Sequence, residues 1–76
     1  MVELTARQGE VLMYIRVFIA DHGYAPSLRE IGMFFGWNSL NATSDHLRGL
    51  IRKGYLTRAR GKSRAMRVTQ KGEEWG

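Results

Sequence analysis

Residues 27–54 read SLREIGMFFGWNSLNATSDHLRGLIRKG, and this stretch predicts two helices joined by a turn of three residues. Ser27 and Glu30 have the spacing of a capping box, in which each side chain accepts a hydrogen bond from the other residue's backbone amide. The apolar side chains behind the box fall on one helical stripe and are expected to point inward: Leu28, Ile31, Phe34 and Phe35. Gly36 ends this short helix, and residues 36–38 form the turn. A short helix, a tight turn and a further helix are typical of a helix-turn-helix.

The helix after the turn has an apolar face and a polar face. At 100° per residue, five side chains lie within about a 100° sector and are expected to point inward: Leu40, Thr43, Leu47, Leu50 and Ile51. The opposite side carries Asn41, Asp45, Arg48 and Arg52, with Ser44 beside them. Gly54 ends the helix. The polar face is continuous along the helix, so it is available to a partner molecule.

The segments on either side complete a small domain. Thr5 and Gln8 have the spacing of another capping box, so a first helix is expected to begin there and to end at residues 22–23. Its inward stripe consists of Val11, Leu12, Ile15, Phe18 and Ile19. After Gly54, two short strands are expected over residues 55–60 and 65–69, around a turn at 61–63. Their inward residues are Leu56, Met66 and Val68.

These elements predict a mainly α fold with a small β-hairpin, that is, a three-helix winged helix-turn-helix over residues 1–70. Residues 71–76 are expected to be a short C-terminal tail, because the closing sequence QKGEEWG is too short and polar to predict another element. A chain of 76 residues has room for one domain with a single small core.

The charge of the chain is concentrated in its second half. Residues 1–47 contain three Arg and five Asp or Glu, whereas residues 48–76 contain nine Lys or Arg and two Glu. No acidic residue lies between His46 and Gly72. Such a field suits a polyanion, with nucleic acid favoured over an acidic membrane surface because the basic segment lacks an amphipathic helix. A basic surface that is merely solvated is the alternative, although such surfaces usually mix both signs.

Several other classes of function are not expected. The chain has no cysteine for a disulfide or a thiolate zinc site, and no nucleophile, base and orienting group occur together. No enzyme activity, metal, cofactor or small-molecule substrate is therefore predicted. No apolar run approaches the roughly 18 residues of a membrane span, and the N-terminus lacks the pattern of a signal peptide. A cytoplasmic protein with no membrane partner is expected.

The start of the third helix carries side chains suited to DNA base edges. Its candidates for base contacts are Ser39, Asn41, Ala42, Ser44 and Asp45. Asn bonds adenine bidentately, Ser bonds either kind of base, Asp accepts from cytosine, and the Ala methyl contacts the thymine methyl. Ser39 is also a good helix cap, and a cap alone would explain it. Asn41 lies past the cap, where it is a poor helix former, so base contact is favoured.

Contacts with the DNA backbone are expected from the basic residues around this helix. Arg48 and Arg52 suit phosphates, while His46 suits packing or a phosphate. The hairpin segment 58–64 carries four cations, of which Lys62 and Arg64 are expected to be the most exposed. The full set of candidates for backbone contacts is Thr5, Arg7, Arg48, Arg52, Lys53, Lys62 and Arg64. Duplex DNA is preferred over RNA because there is no aromatic sheet for base stacking and no GXXG loop.

A set of residues that begins with LTARQ at Leu4 runs without an apparent gap over nearly the whole chain: Pro26, Glu30-Ile31, Gly36, Ser39, Asn41-Ala42, His46-Leu47, Leu50, Arg52-Lys53-Gly54, Gly61, Ser63-Arg64 and Arg67. In these residues the chain resembles the N-terminal DNA-binding domain of LexA-type SOS repressors. It implies a transcriptional repressor whose third helix contacts an operator through the five residues above. It also implies that the hairpin supplies backbone and dimer contacts, so that a symmetric pair binds the operator.

Two departures from the family qualify this resemblance. Familiar members have acidic residues at both positions that are Ser44 and Asp45 here, so a changed operator is expected. Nothing here matches the family's self-cleaving domain, so the chain is expected to be a stand-alone domain or an excised fragment. The predicted function is sequence-specific binding of double-stranded DNA, with repression by operator occlusion. The alternative is a protein-interaction module such as a phage antirepressor or a cofactor of a host repressor.

Overall fold

The computed structural model describes residues 4–59 and 64–76. In chain order its elements are α1 (Ala6–His22), α2 (Leu28–Phe35), α3 (Leu40–Arg52), β1 (Leu56–Arg58), β2 (Met66–Val68) and α4 (Gln70–Glu74). The two strands form an antiparallel hairpin that follows the helix-turn-helix of α2 and α3. The predicted winged helix-turn-helix is therefore confirmed. The predicted turn at residues 61–63, together with Arg60, lies outside the described residues.

The local sequence determines where the first two helices begin and end. The Thr5 hydroxyl accepts from the Gln8 amide at 3.1 Å, and the Ser27 hydroxyl accepts from the Glu30 amide at 3.1 Å. The reciprocal bonds of both capping boxes are also present: the Gln8 side chain accepts from the Thr5 amide, and the Glu30 side chain accepts from the Ser27 amide. Gly23 and Gly36 end the helices with φ of 80° and 76°, a left-handed conformation that is strained for residues with a Cβ. Both predicted capping boxes are confirmed.

The core lies where α1, α2, α3 and the hairpin meet. Its buried residues include Val11, Leu12, Ile15, Ile31, Leu47, Leu50, Leu56 and Met66. Thr43 is buried among them, and its hydroxyl donates to the Ser39 carbonyl oxygen at 3.3 Å. Most of the predicted inward residues are thus confirmed, and Val68 is half-buried at the edge of the core.

Two of the predicted inward residues are exposed instead. Phe34 is 64% exposed and Leu40 is 51% exposed. The Phe34 ring stacks against Tyr14 on the outside of α1, with the ring centroids 4.3 Å apart. Leu40 is the first residue of α3, where the helix has only begun to cross the core. The stripe predicted by periodicity is longer than the surface that neighbouring elements cover, so residues at its ends remain in water.

The strands are shorter than the sequence predicts. Leu56 pairs with Val68 and Arg58 pairs with Met66 in an antiparallel register. Tyr55 does not join the strand, because its amide donates to the Leu50 carbonyl oxygen at 2.9 Å and so completes the end of α3. Two further bonds extend the pairing beyond the strands, one at each end: the Ala59 amide donates to the Ala65 carbonyl oxygen at 3.2 Å, and the Thr69 amide donates to the Tyr55 carbonyl oxygen at 3.1 Å.

The predicted tail is wrong in one respect, because residues 70–74 form the short helix α4. Thr69 caps it by accepting from the Gly72 amide at 3.1 Å, and its hydroxyl donates to the Gly54 carbonyl oxygen at 2.7 Å. Trp75 then packs on the core beside Gly9, where a Cβ would meet the indole ring.

We predict that Gly72→Ala destabilises the protein by about 1 to 3 kcal/mol, the usual cost of overpacking. A Cβ at this buried position would run into the Tyr55 carbonyl oxygen and the Val68 side chain. Helix propensity alone predicts that Gly72→Ala stabilises the protein, since Ala is favoured over Gly in a helix by about 1 kcal/mol. Thermal and urea denaturation measure the change.

Gly49→Ala, within α3, is the matched control. A Cβ there would meet only the side-chain amide of Gln8 and not a backbone atom, so its cost should be smaller. A higher melting temperature for Gly72→Ala than for the wild type would contradict the close packing of α4.

Candidate nucleic-acid interface

The outer face of α3 is polar and open, as predicted. Asn41, Asp45, Arg48 and Arg52 are exposed, while Ala42 and Ser44 are half-buried at its border. The side-chain amide of Asn41 makes no hydrogen bond to any residue that the structure describes. An unpaired amide on a rigid helix presents both a donor and an acceptor, the combination that bonds an adenine edge.

Asp45 and Arg48 form an ion pair on this face. The Arg48 Nη1 donates to the Asp45 Oδ1 at 3.1 Å, and both side chains are about two-thirds exposed. Exposed pairs of this kind contribute at most about 1 kcal/mol. The pair is therefore easily exchanged, which would leave Asp45 to accept from a base and Arg48 to bind a phosphate.

Ser39 is the N-cap of α3. Its hydroxyl accepts from the Ala42 amide at 3.1 Å, so the capping role weighed from the sequence is present. A capping hydroxyl still has its own hydrogen to donate, because accepting a bond uses only a lone pair. The cap consequently does not exclude a base contact by the same side chain.

A ladder of stacked rings, which the sequence reasoning missed, supports the turn between α2 and α3. The rings of Trp37 and His46 stack with centroids 4.0 Å apart and planes 4° apart. Phe35 stacks on the other side of Trp37 at 4.8 Å. The packing alternative for His46 is thus present. The aromatic residues at 34, 35 and 37 were a visible signal, but periodicity placed Phe34 and Phe35 on a helix face and Trp37 was assigned only to the turn.

The end of α3 and the start of α1 meet at Gln8. Its side-chain oxygen accepts from the Thr5 amide at 3.0 Å and from the Lys53 Nζ at 2.9 Å. Arg7 lies beside this junction and pairs with Glu10 at 3.1 Å, with both side chains exposed. The structure therefore brings Thr5 and Lys53 to one junction, although they are far apart in sequence.

Arg64 is placed differently from the other predicted cations. Its guanidinium donates to both Glu30 carboxylate oxygens, at 2.8 and 3.0 Å, and to the Ala25 carbonyl oxygen at 3.1 Å. The same group lies 4.8 Å from the centroid of the Tyr24 ring. Lys62, its companion in the prediction, lies outside the described residues. Arg64 thus already has protein partners.

These hydrogen bonds shift the acidity of Glu30. The bonds from Arg64, followed by the Ser27 amide, lower the pKa of Glu30 to about 2 from an ordinary value of 4.5. Burial, together with the nearby charge of Glu30, raises the pKa of Tyr14. Glu30 accordingly stays ionised over nearly the whole accessible pH range.

Within 4–59 and 64–76, no group of three or more His, Asp or Glu is placed to bind a metal ion. Over the same residues, none of the helices has the length and apolar character needed to cross a bilayer.

A helix-turn-helix with a polar outer helix face, followed by a basic hairpin, defines the winged helix-turn-helix class of proteins. Residues 1–65 match the LexA DNA binding domain, and the chain belongs to that family.

Several LexA repressors are close relatives over this region. That of Sorangium cellulosum is 59% identical over 64 residues, which cover 84% of this chain and 28% of the relative. That of Anaeromyxobacter dehalogenans strain 2CP-1 is 51% identical over 71 residues, 93% of this chain and 31% of the relative. That of Marinobacter nauticus is 42% identical over 74 residues, 97% of this chain and 37% of the relative. The chain spans about a third of the length of these relatives.

We predict that acid weakens the fold through Glu30. A carboxyl group whose pKa is lowered in the folded state stabilises that state fully above its unfolded pKa. The contribution of Glu30 should therefore be complete above about pH 4.5 and be lost as the pH falls towards about 2. Urea denaturation at a series of pH values measures the loss.

The Glu30→Gln variant should show a flatter dependence of unfolding free energy on pH between these limits. Glu74→Gln is the charge-matched control, because Glu74 is exposed and outside the Arg64 pair. Equal slopes for wild type and Glu30→Gln would show that the pair does not perturb Glu30.

Proposed function

We propose that this chain binds double-stranded DNA in a sequence-specific manner and acts as a LexA-like repressor by occluding a promoter. The observation that carries this proposal is the open polar face of α3, with an unpaired Asn41 amide, in a member of the LexA DNA-binding-domain family. The major groove is wide enough to admit one α-helix, and the exposed side of α3 has the hydrogen-bonding groups that base edges require. Such a role would place the protein in the cytoplasm, with the chromosome.

The proposed contacts fall into two groups. Base contacts come from Ser39, Asn41, Ala42, Ser44 and Asp45, near the start of α3. Backbone contacts come from Arg48 and Arg52, farther along the helix, from Thr5, Arg7 and Lys53 near Gln8, and from Lys62 and the hairpin. Base contacts provide specificity, whereas phosphate contacts provide affinity that depends on salt.

Selection of binding sequences from a random duplex pool tests this function directly. Recovery of one consensus that survives competition by tRNA and single-stranded DNA supports the proposal. Recovery of no consensus, or displacement of the duplex by either competitor at equal concentration, contradicts it.

We predict that Asn41→Ala and Arg52→Ala weaken binding in different ways. Asn41→Ala should cost about 1 to 3 kcal/mol on the selected site, relax discrimination at one base pair and leave the salt dependence unchanged. Arg52→Ala should weaken binding to all duplexes alike and reduce the slope of log K against log salt by about one. Fluorescence anisotropy at several salt concentrations measures both effects.

Val17→Ala is the control, because Val17 is an exposed residue of α1 outside both groups of proposed contacts. It should leave affinity and specificity unchanged. If Asn41→Ala keeps the wild-type ratio of affinities for selected and random DNA, then the outer face of α3 does not contact bases.

A role as a protein-interaction module is the second candidate. The observation in its favour is an exposed apolar groove between α1 and the end of α2, lined by Met13, Val17 and Phe34 among others. An antirepressor or a cofactor of a host repressor would use a surface of this kind. If Phe34→Ser abolishes the effect on transcription while DNA binding stays intact, this candidate is favoured over the first.

We predict that two copies occupy one symmetric operator. Paired helix-turn-helix domains contact half-sites about one helical turn apart, so the consensus should contain an inverted repeat with about 10 base pairs between half-site centres. Footprinting on the selected site and sedimentation with and without DNA measure the arrangement. Protection of one half-site only would contradict it.

A further inference from the structure

We infer that the Glu30–Arg64 pair is a positioning device that sets the hairpin against the helix-turn-helix, so that Arg64 supports DNA binding without being a phosphate contact. This inference rests on the proposed DNA binding. It revises the role that the sequence suggested for Arg64, and it assigns to Glu30 a role beyond capping.

The guanidinium of Arg64 is committed to groups within the protein. Three of its five N–H donors are used, two on the Glu30 carboxylate and one on the Ala25 carbonyl oxygen. Bidentate pairs between Arg and carboxylate define the orientation of both groups as well as their distance. The Tyr24 ring beside the guanidinium adds a cation–π contact. A phosphate would have to compete with all of these partners.

The backbone of Arg64 is held in an unfavourable conformation. Its φ is 59°, and it is the one residue other than glycine with a positive φ among residues 4–59 and 64–76. Such a conformation persists where the surroundings impose it, and the contacts of its side chain can do so. Because Arg64 lies two residues before β2, its conformation sets the direction from which the chain enters that strand.

Glu30 links the two parts of the molecule that would meet DNA. Its Oε1 accepts from the Ser27 amide at 2.9 Å, within the capping box of α2, and also from Arg64 at 2.8 Å. One carboxylate thus joins the start of the helix-turn-helix to the segment that leads into β2, across 34 positions of sequence. Movement of the hairpin relative to α2 and α3 would require this bond to break.

The negative charge of Glu30 and its proposed role in positioning the hairpin predict opposite effects on DNA binding when Glu30 is replaced. Glu30 is an anion, so its removal should strengthen DNA binding if charge alone matters. If the carboxylate positions the hairpin, its removal should weaken binding. Glu30→Gln is suited to this comparison because glutamine preserves the capping box. Glu74→Gln removes the same charge elsewhere and should bind as tightly as the wild type or slightly more tightly.

The experiment measures affinity for the selected duplex with the full chain, at a temperature where circular dichroism shows each variant to be folded. We expect Glu30→Gln and Arg64→Ala each to lose about tenfold in affinity, a loss typical of misplaced binding groups. The double variant should be no weaker than either single variant, because both changes break one interaction.

If Glu30→Gln binds as tightly as wild type or more tightly, while Arg64→Ala weakens binding and lowers the salt slope by about one, then Arg64 contacts a phosphate and the inference is wrong.

Amide hydrogen exchange at Ala59 provides a measurement that does not depend on DNA. This amide donates to the Ala65 carbonyl oxygen, one residue beyond the end of β1 and one residue before the start of β2. Glu30→Gln should accelerate its exchange severalfold while core amides of α1 and α3 keep their protection. Absence of DNA binding by the wild type would contradict the proposed function, whereas unchanged exchange at Ala59 would contradict the positioning of the hairpin.

Discussion

Burial of one stripe of α3 is the constraint on which the rest of the structure depends. Thr43, Leu47 and Leu50 are completely inaccessible to solvent. Each buried leucine contributes about 1.5 to 3 kcal/mol, so rotation of the helix about its axis would cost much of the stability of a domain this small. Because a helix is rigid, burial of this stripe also determines which residues face outward. The arrangement of Asn41, Asp45, Arg48 and Arg52 is a consequence of the core.

The other elements support α3 at its two ends. At its start, the stacked rings of Phe35, Trp37 and His46 hold the turn, and the Ser39 cap satisfies the Ala42 amide. At its end, Lys53 bonds Gln8 of α1 and Thr69 bonds the Gly54 carbonyl oxygen. These contacts connect segments distant in sequence, so the position of α3 is set by most of the chain. A helix placed in this way loses little freedom when it binds a partner.

The hairpin depends on a smaller and more polar set of contacts. Its strands are three residues each, and a two-stranded hairpin of this length is not stable alone. Leu56 and Met66 attach it to the core, while the Glu30–Arg64 pair attaches the start of its return segment to α2. The two elements proposed to contact DNA are therefore held in physically different ways: α3 is held by apolar burial, whereas the hairpin is held partly by an ion pair that acid or substitution can remove.

The sequence by itself determined the features that depend on neighbours within about four residues. Both capping boxes, the terminating glycines, the inward stripe of α3 and its polar outer face follow from local spacing, and with them the class of fold. Only the tertiary structure decided what depends on distant partners. Phe34 and Leu40 obey the helical period, yet each is more than half exposed because the described elements around them cover only part of each residue. The polar tail forms α4 because Tyr55, Gly54 and α1 provide its contacts, and Arg64 is paired because Glu30 faces it. Periodicity specifies the direction of a side chain, whereas its partner is specified by the packing of elements that are far apart in sequence.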